Sequence, residues 1–70
     1  MNILEFVVLS KAVEMEATAY AVGQLEASRT EFSQGAHFAR RSLLKEVCRQ
    51  SPELRPIVAQ GIRAGIAAGR

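Results

Sequence analysis

Ile3-Leu-Glu-Phe-Val-Val-Leu-Ser-Lys-Ala-Val-Glu-Met-Glu-Ala-Thr-Ala-Tyr-Ala-Val-Gly-Gln-Leu25 decides how this chain folds. The stretch has no Pro and one Gly, and it is rich in Ala, Glu, Leu and Met, all good helix formers. Phe6, Val7 and Val8 would also suit a strand. Glu5 interrupts any strand alternation, however, and no turn signal separates Leu9 from the helical part. The spacing predicts one helix over about 3–33, close to 45 Å long at about 1.5 Å per residue.

That helix is apolar on two sides. At 100° per residue, Phe6, Leu9, Val13, Ala17 and Tyr20 fall on one stripe, and Leu4, Val8, Met15, Ala19 and Val22 on a second, roughly 140° away. One stripe can pack on the rest of its own chain, and the other then needs a partner. Helical spacing alone gives both stripes an equal claim to the core.

Thr30, Ser33, Gln34 and Gly35 are turn and cap types, and Gly35 suits the left-handed position that ends a helix. Ser28 and Glu31 have capping-box spacing, which marks an earlier break. A second helix is expected over 36–50, with Ala36, Ala39, Leu43, Leu44, Val47 and Cys48 on its apolar face and Phe38 projecting on the polar side. Ser51-Pro52-Glu53 signals a further helix start. Pro56 biases Arg55 away from helical angles, so a third helix is expected over 56–68. Its Gly61-x-x-x-Gly65-x-x-x-Gly69 spacing puts three glycines on one face, where another backbone can approach closely.

The chain has 70 residues, of which 49% are hydrophobic. A monomer of this size buries only about 60% of its extended surface. Eleven of the hydrophobic residues are Ala, and twelve of the 23 larger ones lie in the first 25 positions. The expected architecture is therefore a single all-α domain over 1–70. A long N-terminal helix forms a helical hairpin with the second helix, and a short Gly-rich C-terminal helix completes an oligomeric bundle.

Composition excludes most chemistry. With one Cys there is no intrachain disulfide, and with no Asp and one His there are few metal ligands. His37 and Cys48 lie eleven residues apart on one helix, about 16 Å along its axis, too far for a nucleophile–base pair. The expectations are no catalytic residue, no metal and no cofactor. His37 reads as exposed or turn-capping, Cys48 as a buried thiol, Met1 as core or terminus. No charge-free stretch approaches the roughly 20 residues a membrane helix needs, and the apolar start lacks a basic segment ahead of it. The lone thiol fits a reducing cytoplasm, and the excess of Arg over Lys suggests a bacterial or phage source.

Charge is unevenly divided. Residues 1–35 carry two basic and five acidic side chains, and residues 36–70 seven and two. An acidic first helix lying antiparallel to a basic second one accounts for this split. Nucleic-acid or acidic-partner binding by Arg40, Arg41, Lys45, Arg49 and Arg55 is the alternative. A helix-turn-helix across Gln50 to Pro56 would offer only Gln60, Arg63 and Arg70 to read bases.

The functional expectation is a non-enzymatic protein-interaction module: an adaptor, a small chaperone or a phage-type inhibitor of a host protein. It acts through helix–helix packing, with itself as a homodimer or with another protein, and not with a membrane. Its expected partner or oligomer surface comprises Leu4, Phe6, Val8, Leu9, Val13, Met15, Tyr20, Val22, Gly61 and Gly65. The alternative function is a small DNA- or RNA-binding regulator using the basic half.

Overall fold

The computed structural model describes residues 2–69, with the side chain of residue 48 excepted. The expectations for Met1, Arg70 and the Cys48 thiol therefore fall outside the described residues. Helix α1 spans Ile3–Ala27, α2 Ser33–Gln50 and α3 Arg55–Gly69, with a 3-10 turn at Pro52–Leu54 between the last two. No strand occurs among the described residues.

The start of α1 is held by a capping box that the sequence reading missed. Asn2 Oδ1 accepts the Glu5 backbone N–H at 2.8 Å, and Glu5 Oε2 accepts the Asn2 N–H at 3.4 Å. Asn followed three residues later by Glu is the signal that could have revealed it. The box satisfies two otherwise orphaned amides and starts the helix ahead of the β-branched pair Val7–Val8.

The first helix ends at Ala27, six residues earlier than the spacing predicted, and Ser28 turns the chain. The Ser28 hydroxyl donates to Leu25 O at 2.6 Å, and Ser33 Oγ accepts the Thr30 N–H at 3.0 Å. These local bonds compete with helix continuation. Arg29, not Gly35, takes the left-handed conformation, with φ 57°. Gly35 is an ordinary residue inside α2, and a methyl group added there would meet open space. Two substitutions should therefore stabilise the fold in thermal melts, each by about 0.5–1 kcal/mol. They are Gly35→Ala, which removes the helix-interior glycine penalty, and Arg29→Gly, which relieves a side chain at positive φ.

Pro52 opens the 3-10 turn, and the buried Leu54 anchors it to the core. Arg55 is helical, with φ −56° and ψ −44°, despite the following proline. Pro56 stands in the first turn of α3, where its missing N–H has no intrahelical acceptor in any case, so α3 starts one residue earlier than expected.

The chain runs up α1, back down α2 and up again through α3, so α1 and α2 form an antiparallel hairpin and α3 lies parallel to α1. The closest seam is α1 against α3. Along it Gly61 meets Glu16 and Ala19, Gly65 meets Tyr20 and Gln24, and Gly69 meets Gln24 and Ala27. Gly23 answers from α1, against the Ile62 carbonyl and Gly65. The glycine repeat is thus used inside the chain: Gly61 and Gly65, expected at a partner interface, are buried here. Ala19, Val47, Leu54, Val58 and Ile62 form the core, flanked by Ala12, Met15, Leu43, Leu44, Ile57 and Ile66. Among the described residues, Val58 is the only large side chain in full burial.

Candidate interaction surface

The seam fixes where α3 begins relative to α1. Gly61 lies level with Glu16, and six residues back along both parallel helices brings Arg55 level with about Ser10. Leu54 and the end of α2, at Val47 and Gln50, meet Lys11 and Met15. Ile3 to Leu9 therefore extends about 10 Å past the folded body. The molecule measures 42 Å in its longest dimension, close to the length of α1 itself.

Apart from Glu5, this projecting arm is apolar. Ile3 is 82% exposed, Leu4 76%, Phe6 62%, Val7 55%, Val8 59% and Leu9 51%. A helix that is hydrophobic all round belongs inside something, and contiguous exposed apolar surface of several hundred Å² marks a contact site.

Below the arm the two stripes part company. Ala19 is completely buried, Met15 is half-buried against the core, and Val22 is half-buried. Leu4 and Val8 continue that stripe beyond the end of the body and stay exposed. The other stripe is open along its whole length: Phe6, Leu9, Val13 at 67% and Tyr20 at 39% all face outward. Val13, Glu16, Ala17 and Tyr20 form one wall of a groove of about 400 Å³, whose other wall is Gln60, Gly61 and Ala64 of α3. Ala17 already belongs to this stripe in the sequence, whereas Ala64 joins it only in the folded chain.

The basic residues also separate. Arg40 turns back to α1, its Nε 3.4 Å from Glu26 Oε2. His37 Nδ1 lies 3.0 Å from Glu26 Oε1 and 3.1 Å from Arg40 Nη2. It donates to the carboxylate or accepts from the guanidinium according to which ring nitrogen carries the proton. This cluster is the acid–base contact between α1 and α2 that the charge split implied, confined to one end of the hairpin. Arg41, Lys45 and Arg49 recur every four residues on the outer face of α2. Phe38, 72% exposed, stands on the same side one turn ahead of Arg41. Arg55 joins Lys45 and Arg49 around a shallow depression. Arg49 is bonded to Glu46 at 2.7 Å.

No group of three or more His, Cys, Asp or Glu side chains is placed to hold a metal among the described residues. No helix among them is long and apolar enough to cross a membrane. The chain defines a class by its shape, a three-helix unit with a projecting apolar arm. Comparison with protein-family models, curated proteins and solved structures finds no match.

Proposed function

We propose that this chain is a non-enzymatic protein-interaction module that binds by helix–helix packing through the exposed length of α1. One observation carries the reading: among the described residues, nine of the eleven large hydrophobic side chains left exposed lie on α1, between Ile3 and Leu25. Covering an aliphatic side chain from that set contributes roughly 1.5–3 kcal/mol, so a partner helix has a strong driving force to dock. Adaptor, small chaperone and inhibitor of a host protein are the roles this surface suits. Partners are a second copy of the chain or another protein, in the reducing cytoplasm of a bacterial or phage-infected cell that the lone Cys48 and the Arg bias favour.

Affinity capture on the intact chain, run beside a Phe6→Glu/Val13→Glu variant, tests the reading. A protein retained by the wild type and lost by the variant supports it, and identical recovery on both from a wild type that is also monomeric removes it. The outer face of α2 favours a second reading, binding of nucleic acid, because Phe38, Arg41, Lys45, Arg49 and Arg55 share one side. That reading requires a duplex shift at low salt that weakens steeply as salt rises. It also requires that Arg41→Ala/Lys45→Ala abolish the shift.

A further inference from the structure

We infer that the open stripe of α1 docks on the same stripe of a second copy, antiparallel, with the two-fold axis at Val13 and Phe6 seated in the partner's groove beside Tyr20. The inference rests on the interaction reading above and names the occupant of that surface.

The spacing of the stripe is the first ground. Phe6, Leu9, Val13, Ala17 and Tyr20 are separated by three, four, four and three residues, a pattern that reads identically in both directions. Two antiparallel copies centred on Val13 therefore superpose the whole stripe on itself. Phe6 meets Tyr20, Leu9 meets Ala17, and Val13 meets its own equivalent. Large faces small at Leu9 and Ala17, and an aromatic pair closes each end. A two-fold interface must be self-complementary in this way.

The groove is the second ground. The Val13–Ala17–Tyr20 wall and the Gly61–Ala64 wall, with Glu16 and Gln60 as the polar members of the lining, leave a concave and mainly apolar seat on the body, and Phe6 is a projecting aromatic on the arm. The two cannot meet within one chain. They belong to one rigid helix and lie 14 residues, about 21 Å, apart. In the antiparallel pair each arm lies along the other copy's body, and each Phe6 arrives at the level of the other's Tyr20.

The area is adequate. Aromatic side chains present roughly 150–250 Å² each and aliphatic ones somewhat less. At the exposures of Phe6, Leu9, Val13 and Tyr20, these four leave about 400 Å² per chain. Two copies thus offer about 800 Å² from four residue types alone, and Ala17, the groove walls and the Ile3 edge carry the total past the roughly 1,000 Å² of a specific interface. Leu4 and Val8 lie on the far side of the arm, outside this contact, and serve as controls.

Sedimentation and engineered cross-linking of the full chain test the proposal. The wild type should be a dimer at roughly 100 μM. Val13→Glu places two carboxylates face to face on the axis and should weaken association at least about tenfold, with helical content unchanged. Leu4→Glu should remain dimeric. In a Cys48→Ser background, Val13→Cys should form a disulfide-linked dimer under mild oxidation and Leu4→Cys should not, because only residues on the axis bring their Cβ atoms within bonding reach. A wild-type monomer at that concentration overturns the proposal, as does a dimer lost by Leu4→Glu and kept by Val13→Glu, or cross-linking at Leu4→Cys alone. A monomer that still captures a protein through Phe6 and Val13 leaves the interaction reading standing while self-docking falls.

Discussion

Gly65→Ala is expected to lower the stability of the chain by about 2 kcal/mol, although alanine is the better helix former by about 1 kcal/mol. A Cβ at Gly65 would overlap the Tyr20 carbonyl oxygen and stand 2.9 Å from its carbon and 3.0 Å from the Gln24 nitrogen. All three are backbone atoms of a helix, so none can swing aside as a side-chain tip would. Helices α1 and α3 must separate along the seam, which loosens Ala19, Val58 and Ile62 together. In a domain of this size such a loss lowers the melting temperature by roughly 10 °C. The same substitution at Gly35 has the opposite sign, because nothing stands in the way there. Thermal melts of the two variants side by side check both. If Gly65→Ala proves as stabilising as Gly35→Ala, the close α1–α3 seam is wrong.

The second large effect separates the two stripes. Ala19→Glu should abolish cooperative folding, because position 19 has no exposed surface and sits among Val47, Leu54, Val58 and Ile62. Burying a carboxylate there without a partner costs several kcal/mol, comparable with the whole stability of a small domain. Met15→Glu, on the same stripe and half-buried, should destabilise by about 2–4 kcal/mol. Val13→Glu, two residues away, should leave the helical circular dichroism and the melting transition of the single chain nearly intact, because its side chain already faces out. Circular dichroism melts of the three variants check the order. Unfolding by Val13→Glu with tolerance of Ala19→Glu would reverse the assignment of the stripes.

Much of the fold is legible in the residues. Helix after helix follows from composition, from the turn chemistry around Ser28 to Ser33 and from the Pro52 start. The positions that misled are those where bonds made by neighbouring or distant residues outweigh a residue's own preference. Gly35 looked like a helix terminator, yet the hydroxyls of Ser28 and Ser33 close the turn earlier and leave Arg29 in the left-handed conformation. Pro56 looked like the first residue of the last helix, yet the buried Leu54 sets the chain one residue ahead of it. Gly65 looked available to a partner, because a four-residue glycine repeat says that a backbone approaches without saying whose.

Local chemistry by itself determined that the chain is helical and that α1 carries more apolar surface than its own helices can cover. These follow from helix propensity, from the 100° turn per residue and from the count of side chains. Only the tertiary structure decided which stripe is core and which is surface. The two stripes are nearly equal in hydrophobicity, so helical periodicity treats them alike. The choice is made by the small residues Ala19 and Gly23, which let α3 approach until its glycines touch the α1 backbone. Large side chains at Phe6, Val13 and Tyr20 could not allow that approach, and so they are the ones left facing outward.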